Sequence, residues 1–286
     1  MSANGKPVLN AFTVDVEEYF QVSAFEGIID RSTWDDIESR VAIGTGRILD
    51  LFDAHHVKAT FFVLGWIADR HPGLVREIHD RGHEIASHGW EHRLVTSFDA
   101  ASIRADFRRA SDAIHAACGV RVDGFRAPSF SFSGETPWAF DVLAREGYTW
   151  SSSVFPVRHD RYGIPDFPRW PVRVDAGEGR TLLEFPMTTW RVLGRNLPVA
   201  GGGWLRALPP WIIHRALRAA NGAGHPAITY VHPWEVDPDQ PDVPEAPRKA
   251  RFRHRLNLKK TLDRIDRLLG AFPFGPVREV LASTAP

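Results

Sequence analysis

Asp15 and Glu17 sit two residues apart in the run Thr13-Val14-Asp15-Val16-Glu17-Glu18. In a β-strand, alternate side chains share a face, so these two carboxylates point together while Val14 and Val16 face the opposite layer. Glu18 has the wrong parity to join them. Neighbouring carboxylates repel unless a cation lies between them or one takes a proton. A second group of candidates is Ser87-His88-Gly89-Trp90-Glu91-His92, with two imidazoles four residues apart. That spacing suits a bidentate metal grip. One carboxylate and two imidazoles make a facial set that leaves positions open for water and substrate, and zinc, iron, manganese, cobalt or nickel could accept it.

Two further sites follow. Phe125-Arg126-Ala127-Pro128-Ser129 places an arginine at a strand end, where it either clamps a carboxylate or forms a surface ion pair. Tyr230-Val231-His232-Pro233-Trp234-Glu235 places a histidine at the exit of a late apolar run. It is a candidate metal ligand, a general acid or a structural side chain. Trp90, Trp204 and Trp234 could stack on flat ligand faces or fill the core. Gly201-Gly202-Gly203 permits either a close backbone approach or a flexible lip.

The elements needed to hold these groups are legible as alternating apolar runs and helical patterns, an α/β signature with mostly parallel strands. Strands are predicted at residues 8–17, 59–64 and 82–87 and near Gly124, Tyr148, Leu182 and Ile228. Helices are predicted at 43–55, 72–81, 137–146 and 209–220. Another helix has Ser97 as its N-cap, Asp99 in its first turn and Gly119 at its close. About seven strand–helix units over this length favour a barrel over an open sheet. Residues 236–247, rich in Pro and Asp, read as a loop. Residues 248–267 read as one basic helix with Leu258, Leu262, Ile265 and Leu269 on a stripe, packed on the barrel with its charged face solvated or against an anionic polymer.

Composition bounds the function. The chain has 286 residues, 43% of them hydrophobic, with 35 basic and 35 acidic side chains. Nothing in that balance asks for a nucleic-acid partner. A single cysteine, Cys118, precludes an internal disulfide and reads as a small buried residue at a helix end. The opening residues lack a basic start followed by an apolar run, and no stretch reaches the roughly 20 apolar residues of a membrane span. The expectation is a soluble, cytoplasmic protein without an integral membrane segment.

The four sites, in this order, resemble the NodB-homology polysaccharide deacetylase family over about residues 8–235. The finer resemblance is to the subfamily linked to exopolysaccharide export loci of the PEP-CTERM type. It rests on Asp15-Val16-Glu17-Glu18-Tyr19-Phe20-Gln21-Val22, on residues 152–156 and 159–165, and on the tail at 252–258. The resemblance implies a distorted (β/α)7 barrel, with residues 1–235 as the catalytic domain and 236–286 as a helical extension. It implies a hydrolase that removes N-acetyl groups from an amino-sugar polymer with a divalent metal ion, zinc first among the candidates. It also implies an N-acetylated polysaccharide partner and association with an export system.

By position, Asp15 matches the general base, and Glu17, His88 and His92 match the metal ligands, although Asp15 could bind the metal itself. Arg126 matches the residue that orients the base, and His232 the one that protonates the departing amine. Two places depart from the family. Gly89 stands where a Ser or Thr is usual. Ser151 stands where an Asp usually pairs with the acid histidine, and Asp160 is the substitute the sequence offers. Two other readings remain: a cyclic amide hydrolase resembling allantoinases, and a glycan-binding module with a decayed site.

Overall fold

The computed structural model describes residues 7–159 and 162–284. β1 (Asn10–Val16) is buried along its whole length, and its alternation assigns two layers. Phe12, Val14 and Val16 face an outer layer of helices, while Ala11 joins an inner cluster with Phe62, Ala86, Ile228 and Tyr230. The chain continues through α1 (Val41–Ala54), β2 (Thr60–Val63), α2 (Gly65–Arg70), α3 (Pro72–Asp80), β3 (Glu84–Ser87) and α4 (Ala100–Cys118). Next come β4 (Gly124–Phe125), α5 (Trp138–Arg145), β5 (Trp150–Ser151), β6 (Val172–Asp175), β7 (Thr181–Glu184), and a hairpin of β8 (Thr189–Val192) and β9 (Arg195–Pro198). α6 (Gly203–Ala207), α7 (Pro210–Gly222), β10 (Ile228–Val231), α8 (Arg248–Arg255), α9 (Leu258–Leu269), β11 (Phe274–Gly275) and α10 (Val277–Thr284) complete it.

Seven of these strands run parallel in the order β10-β1-β2-β3-β4-β5-β7, with β6 antiparallel at the edge. This is the distorted (β/α)7 barrel expected from the sequence. No ladder joins β7 to β10. The gap is bridged by the Thr188 hydroxyl, which donates to the Ile228 carbonyl at 2.8 Å and accepts from its amide at 2.7 Å. Beside it, Tyr230 N donates to Ala200 O and Gly202 N to Tyr230 O. Gly201 lies so close that a Cβ would sit 1.9 Å from the Tyr230 carbonyl. The glycine run therefore serves close approach rather than a lip.

Several expectations need correction. The N-cap of α4 is Asp99, not Ser97: the Asp99 carboxylate accepts from Ala101 N and Ser102 N, and Ser102 returns the bond in a capping box. An anionic acceptor satisfies two orphan amides better than a hydroxyl two residues earlier. The tail is two helices, not one, because Asn257 takes a left-handed conformation (φ 56°) between α8 and α9. The β8–β9 hairpin and α2 were not foreseen. Residues 237–247 carry no helix or strand, Val236 ending a 3-10 turn. Cys118 ends α4 half-buried, and among the described residues no helix is long and apolar enough to cross a membrane.

Beyond α9 the chain returns to the barrel: β11 pairs with β1, and Val277 N donates to Thr60 Oγ1 at 2.8 Å. At the other end, α1 presses against the turn after β10. A Cβ on Gly44 would sit 2.0 Å from the Pro233 carbonyl. Gly44→Ala should therefore lower stability by about 1–3 kcal/mol, as overpacking does, measured by denaturant titration. His83 is buried beside Phe52 and Phe61 and accepts from Ala59 N. Burial lowers its pKa to about 4, so between that value and its ordinary value near 6.5 the unfolded chain binds the extra proton. Stability is lost as pH falls through this window. His83→Gln should flatten the pH dependence of Tm there.

Candidate functional site

β1 delivers its two carboxylates to the carboxyl end of the barrel, but to different partners. Asp15 Oδ1 accepts from Arg126 NH1 at 2.6 Å, and the same nitrogen reaches Thr13 Oγ1 at 2.7 Å. Arg126 leaves β4 and is fully buried. Its Nε donates to Ser152 O and its NH2 to Ser152 Oγ, both at 3.1 Å, and its guanidinium lies 4.0 Å from the centre of the Phe62 ring. This is an interior clamp, not a surface ion pair. Burial pulls the arginine pKa down and the Asp15 charge opposes it.

Glu17 turns the other way. Its Oε1 accepts from the Trp234 indole at 3.1 Å. Its buried Oε2 receives no well-directed hydrogen bond, although His92 Nε2 lies 2.8 Å away. His88 Nδ1 donates to the Arg126 carbonyl at 2.8 Å, which leaves its Nε2 lone pair for the interior. One donor atom each from Glu17, His88 and His92 falls within 4.8 Å of the others, and all three residues are buried. An unsatisfied carboxylate oxygen facing two imidazoles is a donor set that fits a divalent cation. Burial raises the Glu17 pKa, but His92 and His232 outweigh it and hold the group well below the carboxylate range. Burial lowers His88 to about 4, which keeps its imidazole neutral.

The His88–His92 pair is not helical. Gly89 (φ 78°) and His92 (φ 55°) are both left-handed, which curls the loop so the rings approach at 5.4 Å between centroids. A Cβ on Gly89 would lie 3.0 Å from Asp106 Oδ2, so this backbone favours the glycine found where Ser or Thr is usual. Two helices pin the loop. The first amides of α2, Gly65 N and Trp66 N, take the carbonyls of Gly89 and Trp90, and Asp106 of α4 accepts from Trp90 N at 3.0 Å. Trp90 is packed into this wall with the Arg109 guanidinium 3.6 Å from its centroid. Of the three candidate stacking tryptophans, Trp90 and Trp234 are buried and Trp204 is partly exposed.

His232 closes the group from β10. Its Nε2 lies 3.6 Å from Glu17 Oε1 and 3.9 Å from Asp15 Oδ2. Its Nδ1 meets Glu235 Oε2 at 2.9 Å. Burial disfavours the imidazolium, but Glu17 and Glu235 overcome it and raise the pKa to about 9. Sequence reasoning missed Glu235, although His-Pro-Trp-Glu has the three-residue spacing of a capping box. The Glu235 carboxylate indeed accepts from His232 N at 3.0 Å. Glu18 lies outside the group, as its parity implies, and accepts from Arg40 N and Val41 N at the start of α1. Ser151 Oγ bonds Ser153 Oγ at 2.7 Å, and no bond joins it to His232. Asp160 lies outside the described residues.

Asp15 and Arg126 form a buried pair whose separation leaves a bare charge. Arg126→Met should cost about 3–5 kcal/mol. Arg126→Met combined with Asp15→Asn should cost less than the sum of the two single changes, read from a double-mutant cycle of urea unfolding.

Residues 31–149 match the family model described as "Polysaccharide deacetylase", and residues 152–282 match "Domain of unknown function (DUF3473)". A chitooligosaccharide deacetylase of Rhizobium leguminosarum bv. trifolii is 42% identical over 102 residues, covering 35% of this chain and 44% of that protein. The match thus spans less than half of the relative's length. Among solved structures, a Mycobacterium smegmatis protein assigned provisionally as a polysaccharide deacetylase superposes with a TM-score of 0.65 at 20% identity, covering 99% of this chain and 92% of that one. Puue allantoinase gives 0.62 at 17% identity, over 99% and 93% of the two chains. At such identities the likeness concerns the fold. Residues 31–149 are thus similar to polysaccharide deacetylases of the NodB-homology type, and over the rest of the chain the likeness is one of barrel fold.

Proposed function

We propose that this chain is a metal-dependent hydrolase that removes N-acetyl groups from an amino-sugar polymer and releases acetate. The carrying observation is the convergence of Glu17, His88 and His92 beside the Asp15–Arg126 pair and His232. Glu17, His88 and His92 would hold the ion, and zinc suits one carboxylate with two imidazoles. Once bound there, a divalent ion supplies Lewis acidity toward an amide carbonyl and lowers the pKa of adjacent water.

The other residues divide the proton work. Arg126 occupies Asp15 Oδ1, so Oδ2 is the oxygen left to accept the proton of the attacking water. The water oxygen bonds to the acetyl carbon and the C–N bond breaks. His232 Nε2 then donates a proton to the departing nitrogen, giving acetate and a free amino sugar. The Glu235 carboxylate on Nδ1 favours the protonated ring that this role needs. The exopolysaccharide setting and the export partner rest on the resemblance of the 15–22, 152–165 and 252–258 segments. The division into a catalytic body at 1–235 and an extension at 236–286 belongs to the same proposal.

The test is acetate release from N-acetylglucosamine oligomers by protein of measured metal content, with allantoin assayed in parallel. Wild type should release acetate, lose the activity to a chelator and regain it with a divalent ion. His88→Ala should reduce turnover at least about 100-fold. Full turnover by His88→Ala under chelation contradicts the metal role. Allantoin hydrolysis without acetate release contradicts the substrate class, and glycan binding with no hydrolysis points to a binding module.

A further inference from the structure

His232 is held on two sides by residues that sequence reasoning did not assign to the site. In the plane of its ring, Nδ1 meets Glu235 Oε2, and the same oxygen accepts the His232 backbone amide. Across its face, the ring stacks on Trp234 at 5.1 Å and 16°, and Trp234 stacks on His254 of α8 at 4.3 Å and 19°. Glu235 is fully buried. Its second oxygen accepts from Arg206 Nε at 2.5 Å, and the two opposite charges of Arg206 and His232 bring the carboxyl down to about 2 against the effect of burial.

Arg206 belongs to α6, and its other contacts lead away from the site. NH1 donates to the carbonyls of Arg253, His254 and Leu256, at 3.1, 2.9 and 2.8 Å. These carbonyls lie at the break between α8 and α9. Asn257, the left-handed residue that makes the break, returns a side-chain bond to Arg206 O at 2.8 Å. His254 is itself fixed by Gln240, whose Oε1 lies 2.8 Å from Nε2. The chain thus runs from the tail through the buried Arg206 and Glu235 to the half-buried His232.

We propose that Glu235 is the positioning carboxylate of the proton donor, and that Arg206, clasped by the tail, sets its position. This rests on the reading of His232 as the proton donor. A histidine whose Nδ1–H is committed to a carboxylate presents Nε2 in one direction and one tautomer, here toward Asp15 and Glu17. The match to a domain of unknown function, 152–282, covers Arg206, His232, Glu235 and the whole clasp. That segment therefore completes the catalytic site begun by Asp15, Glu17, His88, His92 and Arg126.

The test uses the full chain with its metal content measured, and two substrates. N-acetylglucosamine oligomers need protonation of a poor leaving nitrogen; 4-nitrophenyl acetate releases its phenolate without it. Glu235→Gln should lower kcat on the oligomers about 100-fold, with KM changed less than about threefold. Ester hydrolysis should fall far less, so the amide-to-ester ratio drops at least about tenfold. Glu235→Asp keeps the charge and should recover part of that ratio; it also serves should the glutamine variant not fold. A parallel fall on both substrates, or no fall on either, overturns the positioning role while leaving the deacetylase reading intact. Wild type that splits the ester but releases nothing from the oligomers overturns the deacetylase reading and the role built on it.

Discussion

Two buried carboxylates, Asp15 on β1 and Glu17 just past its end, are the constraint from which the site follows. Asp15 and Glu17 are both almost inaccessible to water, and neither can be left there as a bare anion. Asp15 is neutralised by Arg126, whose own burial requires the partnership in return. Glu17 faces His88, His92 and His232 and keeps one oxygen without a directed donor. A cation at that oxygen would balance the charge and use the imidazole lone pairs. The neighbours differ: Glu235 supports a protonated His232, while burial keeps His88 neutral.

The barrel meets this constraint with rigid supports rather than mobile loops. Parallel strands bring Asp15, Arg126 and His232 to one end. The histidine loop hangs from β3 but is fastened to the N-terminus of α2 and to Asp106 of α4. The turn holding His232 and Glu235 is wedged against Gly44 of α1. Where the β-ladder fails, between β7 and β10, the Thr188 hydroxyl and the glycine run hold the wall together. Preorganised supports of this kind fix reacting groups at low reorganisation cost.

Much of this was legible because it obeys short periods. The parity of β1 separated Asp15 and Glu17 from Val14, Val16 and Glu18, and the alternation of apolar runs pointed to the barrel. The spacing of His88 and His92 was legible too, but the left-handed turns at Gly89 and His92 that make it work were not. Glu235 was within reach, three residues past His232. Arg206 was not, because its partners lie 29 and about 50 residues away in sequence and no local pattern links them. The tail read as one helix because no Pro or Gly interrupts residues 248–267, and only backbone conformation at Asn257 marks the break.

The most direct measurement of the central claim is an anomalous-difference X-ray map of crystals of the purified protein, recorded on both sides of the absorption edge of the metal found in it. The account predicts a single strong peak in contact with Glu17 Oε2, His88 Nε2 and His92 Nε2. Full-occupancy crystals with no peak there, and a water or a direct Glu17–His92 ion pair in its place, would contradict it.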